Sequence, residues 1–132
     1  MRTINFHATR EQSNNAKEMS NYILALLRGN KEYVSGGALI MTEKARQFYT
    51  WGARAMCYMV ATDGSVGLQF SVSGLKFRGR VRVWYNGSTD YFDVEFLRAT
   101  REVLVKELQD IDCFSLHNIC HQTIERTDDP EV

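Results

Sequence analysis

The stretch from residue 66 to residue 96 leaves this 132-residue chain least freedom. Val66, Leu68, Phe70 and Val72 alternate with Gly67, Gln69, Ser71 and Ser73. Past Gly74, Leu75, Phe77, Val81, Val83 and Tyr85 fall on one side, and Lys76, Arg78, Arg80, Arg82 and Trp84 on the other. Phe92, Val94 and Phe96 repeat the pattern. A period of two is the mark of a strand with one apolar face. Asp63-Gly64 and Asn86-Gly87 are hairpin-turn dipeptides. With a further strand predicted over residues 54–62, the segment reads as a four-stranded antiparallel meander spanning residues 54–97. Its apolar face must be covered by helices from the two ends of the chain, which makes the fold class α+β. Gly79, on the apolar side, marks a bulge or a close helix approach.

The flanks supply those helices. Thr9 and Gln12 form a capping-box pair, and Ala16, Met19, Ile23, Leu26 and Leu27 recur at spacings of three and four, so a helix is predicted over residues 10–28. Gly29-Asn30 provides its stop. Residues 38–41 read as a short buried strand. Thr42 followed by Glu43 opens a second helix, expected to break at Gly52. Beyond the meander, Thr100 and Glu102 are read as the start of a helix carrying Val103, Leu104 and Leu108. Asp112 is expected to cap a last helix from Cys113 to about Arg126. These elements form one domain, residues 1–126, and the acidic residues 127–132 are expected to fray.

Composition narrows the function classes. Hydrophobic residues make up 44% and charged residues 24%, as in a globular domain. No apolar run reaches the ~18 residues of a membrane span, and the first residues lack the apolar stretch of a secretory signal. Three cysteines, an odd number, make no disulfide framework and fit a reducing compartment, so a cytoplasmic location without membrane association is expected. The chain is neutral overall, yet residues 1–80 hold 11 Lys/Arg and 5 Asp/Glu while residues 81–132 hold 5 and 11. Neutrality argues against strong non-specific binding to nucleic acid.

Three groups of residues bear on function. The first is the basic stripe Lys76, Arg78, Arg80 and Arg82 with Trp84, five side chains on one strand face. Arginine interleaved with an aromatic suits a single-stranded nucleic acid or an acidic partner. The blander reading is a solvated face neutralised across the hairpin: a two-residue turn pairs Arg82 with Tyr91 and Arg80 with Asp93, and a four-residue turn pairs Arg82 with Asp93 and Arg80 with Glu95. The second group is Cys113, His117, Cys120 and His121, which share an arc of about 100° on a helix. They are candidate metal ligands by type, but Cys113 and Cys120 stand ~10.5 Å apart along the axis, too far for one ion. Packing in the core is the reading preferred for them. The third is a nucleophile, Cys120 with His117 or His7, for which no signature or cleft is legible. Among Phe48, Tyr49 and Trp51, Trp51 is expected to be partly exposed as a binding anchor, the blander reading being that it closes the edge of the sheet.

Leu68-Gln-Phe-Ser-Val-Ser-Gly-Leu-Lys-Phe-Arg-Gly-Arg-Val and Tyr91-Phe-Asp-Val resemble small uncharacterised accessory proteins of phages and conjugative elements, over about residues 66–97. The resemblance implies a cytoplasmic accessory protein acting on a host defence or replication component, and it brings no catalytic residues. The expectation is therefore a non-enzymatic protein, without a cofactor, that docks on another protein through Arg78, Arg80, Arg82, Trp84, Tyr91 and Trp51. The alternatives are a single-stranded nucleic-acid binder using the same face, and a small enzyme or Cys/His metal protein. An outer strand also leaves room for a homodimer.

Overall fold

The computed structural model describes residues 1–29 and 32–125. Its elements are α1 (Arg10–Arg28), β1 (Glu32–Ser35), β2 (Ala38–Met41), α2 (Glu43–Thr50), β3 (Arg54–Val60), β4 (Val66–Ser73), β5 (Arg78–Asn86), β6 (Tyr91–Leu97), β7 (Leu104–Ile111) and α3 (Leu116–Ile124). β1 and β2 form a separate antiparallel hairpin; β3 to β7 form one antiparallel sheet in sequential order. The fold is α+β, an antiparallel sheet packed with helices. Residues 30–31 and 126–132, and with them the Asn30 stop and the acidic tail, lie outside the described residues.

The sheet has five strands, not four. The fifth, β7, takes the place of the helix expected from Thr100. Val103, Leu104 and Leu108 sit at helix-like spacing, but Arg101 and Glu102 adopt left-handed backbone (φ 64° and 49°) that ends any helix before it begins. The open edge of β6 then offers a full ladder of hydrogen-bonding groups, which Leu104–Ile111 satisfies. α3 starts at Leu116 rather than Cys113, because Asp112 accepts from the Ser115 amide (2.8 Å) in a turn that precedes the helix. Residues 38–41 form the expected strand, yet Ala38 and Ile40 are exposed, since β2 pairs only with β1.

The inner face of the sheet carries the alternation into the core. Leu68, Phe70 and Val72 of β4, Val81 and Val83 of β5, and Phe92, Val94 and Phe96 of β6 are buried with Ile23 and Leu27 of α1, Phe48 of α2, and Leu116, Cys120 and Ile124 of α3. The α1 cap is the predicted one: Thr9 Oγ1 accepts from the Gln12 amide (3.1 Å) and Gln12 Oε1 from the Thr9 amide (2.9 Å). Trp51 is fully buried here, not partly exposed. The chain reverses at Gly52 (φ 64°) immediately after it, and the indole slides between Phe48 and His117 while Tyr49 takes the exposed position.

Two glycines fit tightly against neighbouring strands. A Cβ at Gly67 would stand 2.1 Å from the Val83 carbonyl oxygen, and one at Gly79 would stand 2.3 Å from the Leu97 carbonyl oxygen. The close approach at Gly79 is thus to β6 and not to a helix. Because a backbone carbonyl cannot step aside as a side chain does, Gly67→Ala is expected to lower the unfolding free energy by about 1–3 kcal/mol, the usual cost of overpacking, as read by urea titration.

Candidate functional site: the outer sheet face

Register places a polar row straight across the outer face. Cys57 of β3 pairs with Gln69, Gln69 with Arg82, Arg82 with Glu95, and Glu95 with Glu107 of β7. Beside it runs a second row of Met59, Gly67, Trp84 and Asp93. The β5–β6 connection is four residues long, 87–90, and Asn86 remains in the ladder opposite Tyr91. Arg82 therefore faces Glu95 and Trp84 faces Asp93, a register two residues beyond the four-residue alternative read from sequence. Asp90 makes this possible by taking the left-handed conformation (φ 62°), with its amide bonded to the Asn86 carbonyl (2.9 Å) and its carboxylate accepting from the Tyr85 hydroxyl (2.7 Å).

The stripe that alternation exposes on paper is covered at its Arg82–Trp84 end, while Lys76 and Arg78 stay exposed. Arg82 is 3% exposed and Trp84 0%. One cover is the N-terminal segment. Residues 3–5 add a short rung to β3, the Asn5 amide donating to the Val60 carbonyl and the Thr62 amide to the Thr3 carbonyl, both at 2.8 Å. Ile4 packs there against Met59, Ala61 and Trp84. Arg2 reaches inward: Nη2 donates to Asp93 Oδ2 (2.7 Å), Nε to Ser65 Oγ (3.1 Å), its amide to Glu95 Oε2 (2.8 Å), and its guanidinium lies over the Trp84 ring. The Trp84 indole donates to the other oxygen of Glu95 (2.9 Å), whose carboxylate is fully buried. The expected ladder of arginine–acid pairs between β5 and β6 is absent among the described residues; loop-borne partners neutralise both strands instead.

The second cover is the β6–β7 connection. The Glu102 carboxylate bridges two arginines, one oxygen to Arg80 Nη1 and the other to Arg82 Nη2 (3.2 Å). Arg82 also donates from Nε to Gln69 Oε1 (2.8 Å). Holding two consecutive non-glycine residues, Arg101 and Glu102, in left-handed backbone costs roughly 1 kcal/mol or more each. Between the two covers the face stays open as a groove of about 750 Å³, with Arg82 and Gln69 at its floor, Cys57, Tyr58 and residues 1–6 along one wall and Glu102 at the other. Phe6 (87% exposed) stands at its rim, and Tyr58 (41%), paired with the core residue Leu68 and lying under Lys17 of α1, lines it from the helix-side edge of β3.

Of the six residues expected to form a binding surface, Arg80 and Arg82 meet at Glu102, and Arg78 lies exposed at the end of the same face. Tyr91 is exposed at the opposite end of the β5–β6 hairpin. Trp84 is beneath Arg2, and Trp51 is on the other side of the sheet, in the helical layer. Neither indole is available to a partner or to a base. Sequence reading missed Arg2, Glu102 and Gln69. Period two marks which residues share a face, but no local signal shows that a terminal segment and a distant turn fold over it.

The cysteine–histidine group is taken up by the core. Burial pushes the Cys120 thiol up to about 12, far from a nucleophile. His117 stacks on Trp51; its Nδ1 donates to the Leu27 carbonyl and its Nε2 meets the Gln47 side-chain amide (2.7 Å). His121 Nδ1 accepts from the Trp51 indole (2.9 Å). Cys113 precedes α3 and lies beside Tyr22, and His7 is exposed at the N-terminal end. Among the described residues no three His, Cys, Asp or Glu side chains converge as a metal requires, and no helix is long and apolar enough to cross a membrane. Comparison of the chain with protein-family models, curated proteins and solved structures yields no match.

Two outcomes follow from these contacts. Arg2→Ala removes the cationic partner of the buried Asp93 carboxylate while leaving the backbone amide on Glu95, so unfolding free energy should fall by about 3 kcal/mol, measured by urea titration of Trp fluorescence. His117 has its affinity for protons lowered by burial, with Lys44 and His121 adding to the effect against the Leu27 hydrogen bond. The native state then binds fewer protons than the unfolded one. Stability should be full above about pH 6.5, the ordinary value, and fall as pH drops below it. His117→Gln should flatten that slope between pH 7.5 and 5.5.

Proposed function

We propose that this chain is a non-enzymatic binding protein that docks on another protein through the outer face of its sheet, as an accessory protein of a phage or mobile element. The observation that carries this reading is the open groove: it is lined by the polar Arg82 and Gln69 of the outer face and reaches round the β3 edge to the exposed rings of Phe6 and Tyr58. An apolar rim around a few placed polar groups suits a protein segment, the rim excluding water and the floor setting orientation. Arg54 and Arg78 lie exposed on this face outside the groove, with Arg98 and Arg101 exposed in the β6–β7 connection, and would draw an acidic partner. Against the nucleic-acid alternative stands the burial of Trp84 and Trp51, which removes the stacking platform single-strand binding relies on. A homodimer through β7 would meet a ladder interrupted by register shifts and by the left-handed Asp110 (φ 58°), a feature that discourages edge pairing.

The experiment is affinity capture from lysate of the host cell, with and without nuclease, using the unaltered chain and its Phe6→Ser, Tyr58→Ser and Tyr49→Ser variants. A protein recovered after nuclease, lost with the two rim variants and kept with Tyr49→Ser on α2, is the expected result. Capture that disappears with nuclease, or that is indifferent to both rim residues, would refute docking at this groove. Nucleic-acid binding would in addition weaken steeply between 50 and 200 mM salt.

A further inference from the structure

Glu102 is an unusual residue to find holding Arg82. Its side chain is about half exposed (47%), while the guanidinium it neutralises is almost wholly buried (3%). It sits on a turn whose backbone is left-handed at two successive residues, Arg101 and Glu102, so the carboxylate is kept in place against local strain. It also forms a wall of the groove, so the same arginine that binds Glu102 faces the open space beside it. If Glu102 swings out, Arg82 keeps the Gln69 hydrogen bond and has Glu95, already bonded by Trp84 and Arg2, across the strand pair, and a buried guanidinium that loses its bonded anion is disfavoured. An anion arriving at the arginines therefore favours the departure of the Glu102 carboxylate.

We propose that Arg80 and Arg82 form a carboxylate-recognition site whose resident occupant is Glu102, and that an acidic side chain of the docking protein displaces it. The inference rests on the docking reading above and names the chemistry of its partner. Two features favour a carboxylate over a phosphate. The arginines each meet one of two oxygens, a planar arrangement the chain's own carboxylate already satisfies. Glu95, fully buried, is the cross-strand neighbour of Arg82, and its charge repels a dianion more than a monoanion. Outside the exchange site, the exposed Arg98 and Arg101 flank Glu102 in the same connection and would meet further acidic residues of the partner.

The test uses acetyl-tetraglutamate amide as probe, with acetyl-tetraglutamine amide and a ten-residue oligothymidylate as comparators, titrated into the full chain and followed by NMR at the arginine Nε–H groups. Glu102→Gln removes the resident competitor and should bind the tetraglutamate at least ten-fold more tightly, with the Arg82 Nε–H resonance shifting. Adding Arg80→Gln should abolish the gain. Should Glu102→Gln fail to unfold cooperatively, Glu102→Asp, too short to span both arginines, is expected to shift affinity in the same direction. Unchanged affinity, no measurable binding by any of these proteins, or equal binding of tetraglutamine overturns the proposal. Tighter binding of the oligothymidylate overturns it in favour of a nucleic-acid phosphate. If the captured protein still depends on Phe6 and Tyr58 but binds Glu102→Gln no better than the unaltered chain, docking stands and carboxylate exchange fails.

Discussion

A carboxylate buried in the middle of a sheet face organises much of this molecule. Glu95 has no solvent, so every lone pair it presents must be met by the protein. The Trp84 indole meets one oxygen and the Arg2 backbone the other, while the Arg2 side chain satisfies Asp93 next door. Those contacts draw the N-terminal residues across the outer face and align Thr3 and Asn5 with β3. Ile4 then closes a small apolar cluster over Trp84. A sheet that would otherwise show water one of its faces is buried on both along this half.

The same logic is repeated with reversed charge on the other half. There the strand carries the cations, Arg80 and Arg82, and the incoming loop carries the anion, Glu102. The two halves differ in how firmly they are closed. Arg2 is tied by its backbone as well as its guanidinium, in a segment paired with β3. Glu102 is tied by its side chain and stands on strained backbone. The groove lies where the cover stops, beside the closure that has least holding it. The inner face contributes rigidity, with aromatic and aliphatic side chains of α1, α2 and α3 filling the space against β4, β5 and β6.

Much of this was legible from residue order. The capping pair Thr9 and Gln12 marks the start of α1, and the alternation of Val81, Val83 and Tyr85 against Arg80, Arg82 and Trp84 assigns β5 its two faces. The errors cluster where a local pattern was outweighed by a partner distant in sequence. Val103, Leu104 and Leu108 match a helix, but the unpaired edge of β6 recruits them as a strand. Trp51 has the spacing of an exposed ring, but the reversal at Gly52 and the stacking on His117 bury it. Cys120 and His117 have the chemistry of a site, and both are consumed by packing and by bonds between helices.

The amino-acid sequence by itself determined the α+β class, the strand faces and the positions of α1 and α2, because period, caps and turn residues act over a few neighbouring positions. Tertiary structure alone decided that Arg82 and Trp84 of the stripe are buried, which carboxylate answers which guanidinium, and where a groove remains. Those outcomes depend on Arg2 and Glu102 meeting residues some 90 and 20 positions away, as with Asp93 and Arg80. Charge pairing over such separations follows from how the chain closes on itself, and periodicity along one strand carries no record of it.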